Sequence, residues 1–233
     1  MVATKTKAHL AATPNLTRYQ KLFRRNKDMS ILRALQYEVL ENTKLKGNVL
    51  DFGGGNNAKY HHLIHCKSYE SVNIDPAIEP TWVVKIGEPL PCPTDHYDTV
   101  LTLNTIEHIY DAKFALKEMH KSLKKDGDFA CALPFLYPIH AHPDDYFRPT
   151  ASWWEKTLTD IGFKDIKITP LLWGPLTTGL ICSGMPGPFK NIRKHFALLL
   201  DLLYAKLRFG NSHHYNEEVG NLALGYFIIA KKV

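Results

Sequence analysis

One stretch of the chain, residues 134–150, is dense in side chains that can move protons. His140 and His142 are separated by a single residue, and Asp145 and Arg148 follow them. An imidazole titrates near neutral pH, so either histidine suits a general base that takes the proton of a hydroxyl nucleophile. His140 is our first choice and His142 the alternative. Asp145 would orient the histidine, and Arg148 would bind an acidic or polar substrate.

Two other interpretations of this stretch remain open. Asp145 and Arg148 can instead pair with each other to hold the loop, with the two aromatic residues between them in the core. His140 and His142, with Asp144 or Asp145, also offer nitrogen and oxygen ligands to a metal ion. No separate ligand set of recognised spacing accompanies them, so no metal site is predicted.

The second stretch with chemical potential is a glycine turn after an apolar strand at residues 48–52. The turn consists of Gly53, Gly54, Gly55 and Asn56. Glycines allow positive φ angles and bring the backbone close to a ligand, and such turns bind nucleotide-like ligands in open α/β sheets. Together with Asp75, the turn satisfies the dinucleotide fingerprint, so an NAD-linked enzyme is one interpretation.

The two acids near this turn favour a different cofactor. Asp51 ends the strand, where a carboxylate suits a ligand that carries an ammonium group and repels a pyrophosphate. Asp75, at the end of the second strand, can accept hydrogen bonds from both hydroxyls of a ribose. The pair therefore indicates an adenosine ligand with an amino-acid end.

Four motifs, in order, resemble those of the class I S-adenosylmethionine-dependent methyltransferases. Residues 50–55 (LDFGGG) resemble the first motif of that family, and residues 73–76 (NIDP) resemble the second, which contains the ribose acid. Residues 90–98 (LPCPTDHYD) resemble the approach to strand four, and residues 106–109 (IEHI) resemble the helix that follows. Each motif is weak alone, but the ordered set is specific, and it covers residues 46–170 and the last strand.

The resemblance implies S-adenosyl-L-methionine as the cofactor and a Rossmann-like sheet of seven strands, the last antiparallel and beside strand six. It also implies which residues contact the cofactor: Asp51, Gly53, Gly54, Gly55, Asn56, Asp75, Pro76, Gly87, Glu88 and Asn104. Two positions depart from the family. The third glycine of the turn is Asn57, and the usual acid before the Leu-Pro motif is missing at residues 86–87, so Glu88 or backbone groups would replace it.

The loop at residues 134–150 resembles a methyltransferase subgroup associated with glycan and secondary-metabolite biosynthesis. This likeness implies oxygen methylation of a small polar molecule or sugar. An NAD(P)-linked Rossmann oxidoreductase is the main alternative, and a non-catalytic binding protein with the methyltransferase fold is another. No motif typical of enzymes that methylate base amines follows strand four, so no nucleic-acid partner is expected.

Apolar periodicity predicts an α/β fold in which strands alternate with helices around a parallel sheet. The predicted strands lie at residues 48–52, 71–75, 81–86, 97–103, 128–133, 164–169 and 222–229. Helices are predicted at residues 19–42, from the glycine turn to residue 65, around Leu116, Met119 and Leu123, from Thr150 or Ser152 to 161, and at 191–209.

These elements predict one domain in four segments. Residues 1–45 are an N-terminal tail and helical arm, 46–170 the cofactor-binding core, 171–220 an insertion or lid on the substrate side, and 221–233 the last strand. The amphipathic helix of the insertion, within residues 190–209, can pack on the domain, contact a membrane surface or form a homodimer. The net charge of +6 fits a solvated basic flank, and four dispersed cysteines without a signal peptide predict a cytoplasmic protein.

Overall fold

The computed structural model describes residues 12–24, 29–56, 58–140, 144–210 and 214–233. The chain forms two compact units. One contains the chain before Val39 together with Pro134–Ile139 and Thr169–Tyr226. The other contains Val39–Leu133, His140–Ile168 and Phe227–Val233. The N-terminal arm and most of the predicted insertion thus belong to one unit, and the glycine turn and His140 belong to the other.

Seven strands form a single sheet. They are β1 (Asn48–Phe52), β2 (Ser68–Asn73), β3 (Trp82–Val83), β4 (Tyr97–Leu103), β5 (Leu123–Pro134), β6 (Phe163–Leu171) and β7 (Gly225–Lys232). Their order is β3-β2-β1-β4-β5-β7-β6, and β7 is antiparallel. The predicted Rossmann-like methyltransferase sheet, with its last strand beside strand six, is confirmed.

The middle of the sheet explains where the site must form. Val49 of β1 pairs in parallel with Tyr69 of β2 on one side and with Thr99 of β4 on the other. The last four residues of β1 are buried, as is nearly all of β4, which is typical of strands covered on both faces. Because β1, β2 and β4 run in the same direction, the residues that follow them emerge at one edge of the sheet.

Seven helices occur among the described residues. They are α1 (Leu16–Tyr19), α2 (Ile31–Glu41), α3 (Ala112–Ser122), α4 (Ala151–Ile161), α5 (Pro175–Cys182), α6 (Lys190–Phe209) and α7 (His214–Val219). Helix α4 begins after Thr150, whose side chain accepts a hydrogen bond from the Trp153 backbone, and it ends at Gly162, whose φ is 112°. Thr150, and not Ser152, is therefore the cap.

The helix predicted directly after the glycine turn is wrong. Only a 3-10 turn, His61–Leu63, is present between β1 and β2 in the described residues. Residues 58–65 carry three histidines, a lysine and a tyrosine but only two large aliphatic residues, too few for the apolar stripe that stabilises a helix by packing. A second 3-10 turn, Pro76–Ile78, connects β2 to β3.

The N-terminal arm is interrupted, whereas one continuous helix was predicted over residues 19–42. A π-helical turn, Gln20–Arg24, follows α1, and α2 starts anew after Ser30, whose hydroxyl accepts a hydrogen bond from the Arg33 backbone at 3.2 Å. The arm packs against the predicted insertion within the same unit. The Phe23 ring lies 4.8 Å from that of Trp173, edge to face.

Helix α6 presents the apolar stripe identified from the sequence to solvent. The stripe is exposed along its length: Ile192, Phe196, Leu199, Leu203 and Leu207. A different face of α6, including Leu198, Asp201 and Ala205, is buried. Periodicity identifies an apolar face but cannot say whether it points inward, and here apolar residues occupy both sides. Among the described residues, no helix has the length and apolarity needed to cross a bilayer.

Candidate functional site

The glycine turn is fixed by contacts that leave no room for side chains. Gly53 has φ = 93°, and a Cβ atom there would lie 2.1 Å from Oγ1 of Thr105, just beyond β4. A Cβ atom on Gly54 would lie 2.1 Å from Oδ2 of Asp51. The Asn73 amide donates to the carbonyls of Gly53 and Gly54 at 2.8 and 3.2 Å. Asn73, which the sequence analysis did not single out, therefore holds the turn.

Asp51 is fully buried beneath this turn. Its Oδ2 accepts hydrogen bonds from the hydroxyls of Tyr60 and Tyr69, at 2.7 and 2.6 Å. Its Oδ1 is also buried and has no hydrogen-bond partner in the part of the chain that the structure describes. Burial raises the pKa of Asp51 to about 6, although the two tyrosines oppose the shift. One carboxylate oxygen is thus available to a donor from a ligand.

The end of β2 folds beside the glycine turn. Asp75 is exposed, and its Oδ1 accepts a hydrogen bond from the Ala77 backbone at 2.9 Å. Pro76 begins the 3-10 turn, whose last residue, Ile78, accepts from the Asn56 backbone at 3.2 Å. Asp75 therefore reaches solvent close to Asn56, as a residue that binds ribose hydroxyls must.

The remaining predicted cofactor contacts lie on two separate turns. Gly87, with φ = 80°, and Glu88 are exposed, and the Glu88 backbone N–H donates to the Lys85 carbonyl at 3.1 Å. Asn104 adopts a left-handed conformation with φ = 53° directly after β4. Its backbone N–H donates to the Ala132 carbonyl of β5 at 2.7 Å. Asn104 stands next to Thr105, and thus near the glycine turn.

The loop after β5 joins three of the four predicted catalytic residues. Arg148 donates both Nη groups to the Asp145 carboxylate. The His140 backbone N–H donates to Oδ2 of Asp145 at 3.1 Å, and Nδ1 of the His140 ring lies 3.5 Å from the same oxygen. Burial opposes ionisation of Asp145, but the hydrogen bonds from Arg148 and His140 outweigh it, so the pKa of Asp145 is lowered. His142 lies outside the described residues.

The pairing of Asp145 with Arg148 is the alternative that the sequence analysis left open. The same alternative placed the two aromatic residues of the loop in the core, which is wrong for Tyr146, because this residue is exposed. The Tyr146 backbone N–H donates to the carbonyl of Glu107 at 2.8 Å, so this loop lies against the turn that follows β4. A cavity of about 320 Å³ adjoins it, with Tyr110, Phe147 and Trp153 among its lining residues.

Glu107, His108 and His140 form a compact group, which we name the Glu107 cluster. Nε2 of His108 and Nε2 of His140 lie 3.8 and 3.9 Å from Oε1 of Glu107. Nδ1 of His108 lies 2.5 Å from the Asp144 carbonyl oxygen. Burial raises the pKa of Glu107 above its ordinary value, while its own backbone N–H and electrostatic interactions with His108 and Arg148 oppose the shift.

Two members of this cluster were not predicted as site residues. Glu107 and His108 were both interpreted as part of the family motif at residues 106–109. The available indication was an adjacent acid and histidine after a buried strand, at the edge of the sheet where ligands bind in α/β folds. The sequence offered no reason to bring His140 to them, because that contact joins loops after two different strands.

Comparison with known proteins agrees with this architecture. A family model described as a methyltransferase domain matches residues 20–164, more than half of the chain. Among curated proteins, no sequence matched this chain. A putative methyltransferase of Haloferax volcanii, solved in complex with the Trm112 methyltransferase activator, superposes with a TM-score of 0.56 at 15% identity, over 94% of this chain and 99% of that one.

Two further solved structures show the same fold. An S-adenosylmethionine-dependent methyltransferase from Mesorhizobium loti has a TM-score of 0.52 at 11% identity, over 87% of this chain and 100% of that one. The [4+2]-cyclase SpnF has a TM-score of 0.51 at 13% identity, over 85% of this chain and 81% of that one. At such low sequence identities these structures show the fold alone, and the activity is assigned from the family match. The chain belongs to the methyltransferase-domain family and is an S-adenosylmethionine-dependent methyltransferase.

Proposed function

We propose that the enzyme methylates an oxygen atom of a small polar acceptor, such as a sugar or another secondary metabolite, at the Glu107 cluster. The observation that carries the proposal is the imidazole of His140. Its side chain is 42% exposed. The Asp145 carboxylate accepts a hydrogen bond from the His140 backbone N–H and lies 3.5 Å from Nδ1 of the ring. It stands after β5, at the edge of the sheet that also bears the glycine turn. The cavity lined by Tyr146, Phe147 and Trp153 lies against the same loop and supports an acceptor of small size.

The residues around the glycine turn fit the cofactor. Oδ1 of Asp51, which has no partner among the residues that the structure describes, is a buried acceptor for an ammonium group, and the exposed carboxylate of Asp75 is an acceptor for ribose hydroxyls. S-adenosylmethionine, when bound, supplies an electrophilic methyl group on a sulfonium. We assign the remaining contacts to backbone and side-chain groups at the predicted positions: Gly53, Gly54, Gly55, Asn56, Pro76, Gly87, Glu88 and Asn104.

When no metal ion is bound, His140 acts directly on the acceptor. Nε2 takes the proton of the acceptor hydroxyl as the oxygen becomes nucleophilic. The negative charge of Asp145, whose Oδ2 lies 3.5 Å from Nδ1, stabilises the imidazolium that forms. Arg148 has both Nη groups on Asp145, so we assign it a positioning role, in place of the substrate contact predicted from the sequence.

Family membership excludes the NAD(P)-linked alternative. A non-transferring protein of this fold is the remaining rival, since the neighbour SpnF is named as a cyclase. The direct test is methyl transfer from cofactor labelled in its methyl group to a panel of sugars, polyols, phenols and amines. Labelled product from an oxygen acceptor supports the proposal, whereas product only from amines, or no product from any acceptor, sinks it.

The variant His140→Ala tests the assignment of the base. It should lower kcat by roughly 10²- to 10⁴-fold, which is what a positioned base contributes, while the Kd for S-adenosylhomocysteine stays within about twofold. The matched control is His62→Ala, which removes an exposed histidine outside the cluster and should leave kcat unchanged. Unchanged kcat in His140→Ala would show that this imidazole does not act on the acceptor.

Helix α6 supports a further contact. Its exposed apolar stripe is flanked by Lys190, Lys206 and Arg208, and its one acid, Asp201, is buried. This pattern supports either of the two predicted uses of the helix, a peripheral membrane contact or a homodimer. Sedimentation with anionic vesicles and the mass in solution separate them. The four free cysteines support the proposed cytoplasmic location, which fractionation of cells tests.

A further inference from the structure

We infer that Glu107, His108 and His140 bind one divalent transition-metal cation. The inference goes beyond the proposed function, although it concerns the same side chains. It states what the cluster binds, and it does not require that methyl transfer occur.

Glu107 lacks the partners that a buried carboxylate needs. Its side chain is fully buried, and neither oxygen receives a hydrogen bond from another of the described residues. A buried ionised carboxylate is costly unless a cation or several donors offset the lost hydration. Nε2 of His108 and Nε2 of His140 face Oε1 from 3.8 and 3.9 Å, which is too long for hydrogen bonds.

Those distances suit three ligands of one ion. Metal ions such as zinc bind histidine nitrogen and carboxylate oxygen at about 2.0–2.2 Å, so two donors on one ion lie at most about 4.2 Å apart. Both distances from Oε1 of Glu107 are within that limit. All three donor atoms lie within 4.8 Å of one another, and a shift of less than about 1 Å in the half-exposed His140 ring completes the site.

The far side of each imidazole is arranged as metal-binding histidines require. Nδ1 of His108 faces the Asp144 carbonyl at 2.5 Å. A carbonyl only accepts, so this nitrogen carries the hydrogen, and in the neutral ring Nε2 keeps its lone pair. Nδ1 of His140 lies 3.5 Å from both Oδ2 of Asp145 and an Nη group of Arg148. With Nε2 on a cation, Nδ1 would carry the hydrogen and face the Asp145 carboxylate. Histidine ligands of metals characteristically donate their second N–H to a carbonyl or carboxylate in this way.

The donor types select the class of cation. Two imidazole nitrogens and one carboxylate oxygen suit Zn²⁺, Co²⁺, Fe²⁺ or Ni²⁺, whereas Mg²⁺ and Ca²⁺ prefer oxygen ligands. Three protein ligands leave a coordination position open, as in catalytic sites. A hydroxyl bound there loses its proton to water more readily than a free one. In this state, His140 holds the cation and does not itself take the proton.

The test is cation binding by the full-length protein after a chelator has been removed by dialysis. Calorimetry with Zn²⁺ should show one ion per chain, and Co²⁺ should develop visible absorption bands. Glu107→Gln, which keeps the size of the side chain, and His140→Ala should each weaken Zn²⁺ binding by more than the roughly 10- to 100-fold that the loss of an outer-shell partner costs. The matched control His62→Ala should bind as the wild type does.

Several outcomes would overturn the inference. These are the absence of stoichiometric Zn²⁺ or Co²⁺ binding, full binding in both cluster variants, equal loss in His62→Ala, or displacement of Zn²⁺ by equimolar Mg²⁺. Circular dichroism of the metal-free variants establishes that they fold. Because binding is measured without cofactor or acceptor, a protein that binds Zn²⁺ but methylates nothing refutes only the proposed function. Methylation that persists in chelator without any binding refutes only this inference.

Discussion

Asp51 and Glu107 are both fully buried carboxylates near the same edge of the sheet, yet the fold treats them differently. Asp51 receives two tyrosine hydroxyls on one oxygen, and its other oxygen has no partner in the described part of the chain. Glu107 receives no hydrogen bond on either oxygen from another of the described residues. Neutral donors can hold an acid in place until a ligand arrives, at a moderate cost. An acid without donors from other residues keeps its charge only beside a cation, and this separates the proposed cofactor site from the inferred metal site.

The largest effect that we expect from this comparison is on stability as a function of pH. Because the pKa of Asp51 is about 6 in the folded protein and about 4 when unfolded, the native state holds the proton more tightly. Its contribution to stability is therefore complete below pH 4 and is lost as the pH rises through 6. The free energy of unfolding of the wild type should fall by about 2.5 kcal/mol between pH 4 and 7 relative to that of Asp51→Asn.

Urea denaturation at intervals of one pH unit measures this difference. The slope belongs to Asp51 only if the two proteins differ mainly between pH 4 and 6, because other groups titrate equally in both. Curves that stay parallel from pH 4 to 7 would show that Asp51 ionises in the folded protein as readily as in the unfolded chain. In that case burial does not raise the pKa of Asp51, and Asp51 is no longer a buried acid that can be compared with Glu107.

The cofactor side of the molecule was more accessible to sequence reasoning than the catalytic side. The glycine turn, Asp51 and Asp75 are local features, since the strand before each of them fixes where it emerges. The tyrosines that bind Asp51 follow β1 at Tyr60 and lie on β2 at Tyr69, and no periodic pattern assigns them to it. The helix expected after the turn was wrong because the tyrosine and histidines there left too little apolar surface.

The Glu107 cluster could not be predicted because it is a property of the tertiary structure. Glu107 and His108 follow β4, while His140 follows β5, and the pairing of those strands sets the distance between them. The sequence showed clustered histidines after β5 and suggested a metal ligand set within that loop alone. The direction of the α6 stripe was likewise invisible, since burial of a helix face depends on what packs against it.

The second effect is smaller in free energy, and it concerns which of the two carboxylates binds the cofactor. At pH 7.5, Asp51→Asn should weaken binding of S-adenosylmethionine by about 2 kcal/mol, or roughly 30-fold, because it removes the charge that accepts from the ammonium group. Glu107→Gln should leave that affinity within about twofold. Calorimetry on both variants measures the contrast. Equal losses in the two variants would mean that both acids belong to one binding site.

The smallest effect concerns the tyrosine that distinguishes Asp51 from Glu107. Tyr69→Phe removes one of the hydroxyls on Oδ2 and should cost about 1 kcal/mol of unfolding free energy at pH 7, where Asp51 is ionised. The loss should be smaller at pH 4, because a hydrogen bond to a protonated carboxyl is weaker than one to a carboxylate. Tyr110→Phe removes the hydroxyl of a highly exposed ring and should change stability at neither pH.

If Tyr69→Phe costs the same at both pH values, its hydroxyl does not respond to the charge of Asp51. The tyrosines would then fill space beneath the turn without stabilising the acid, and Asp51 would depend on a ligand as Glu107 does.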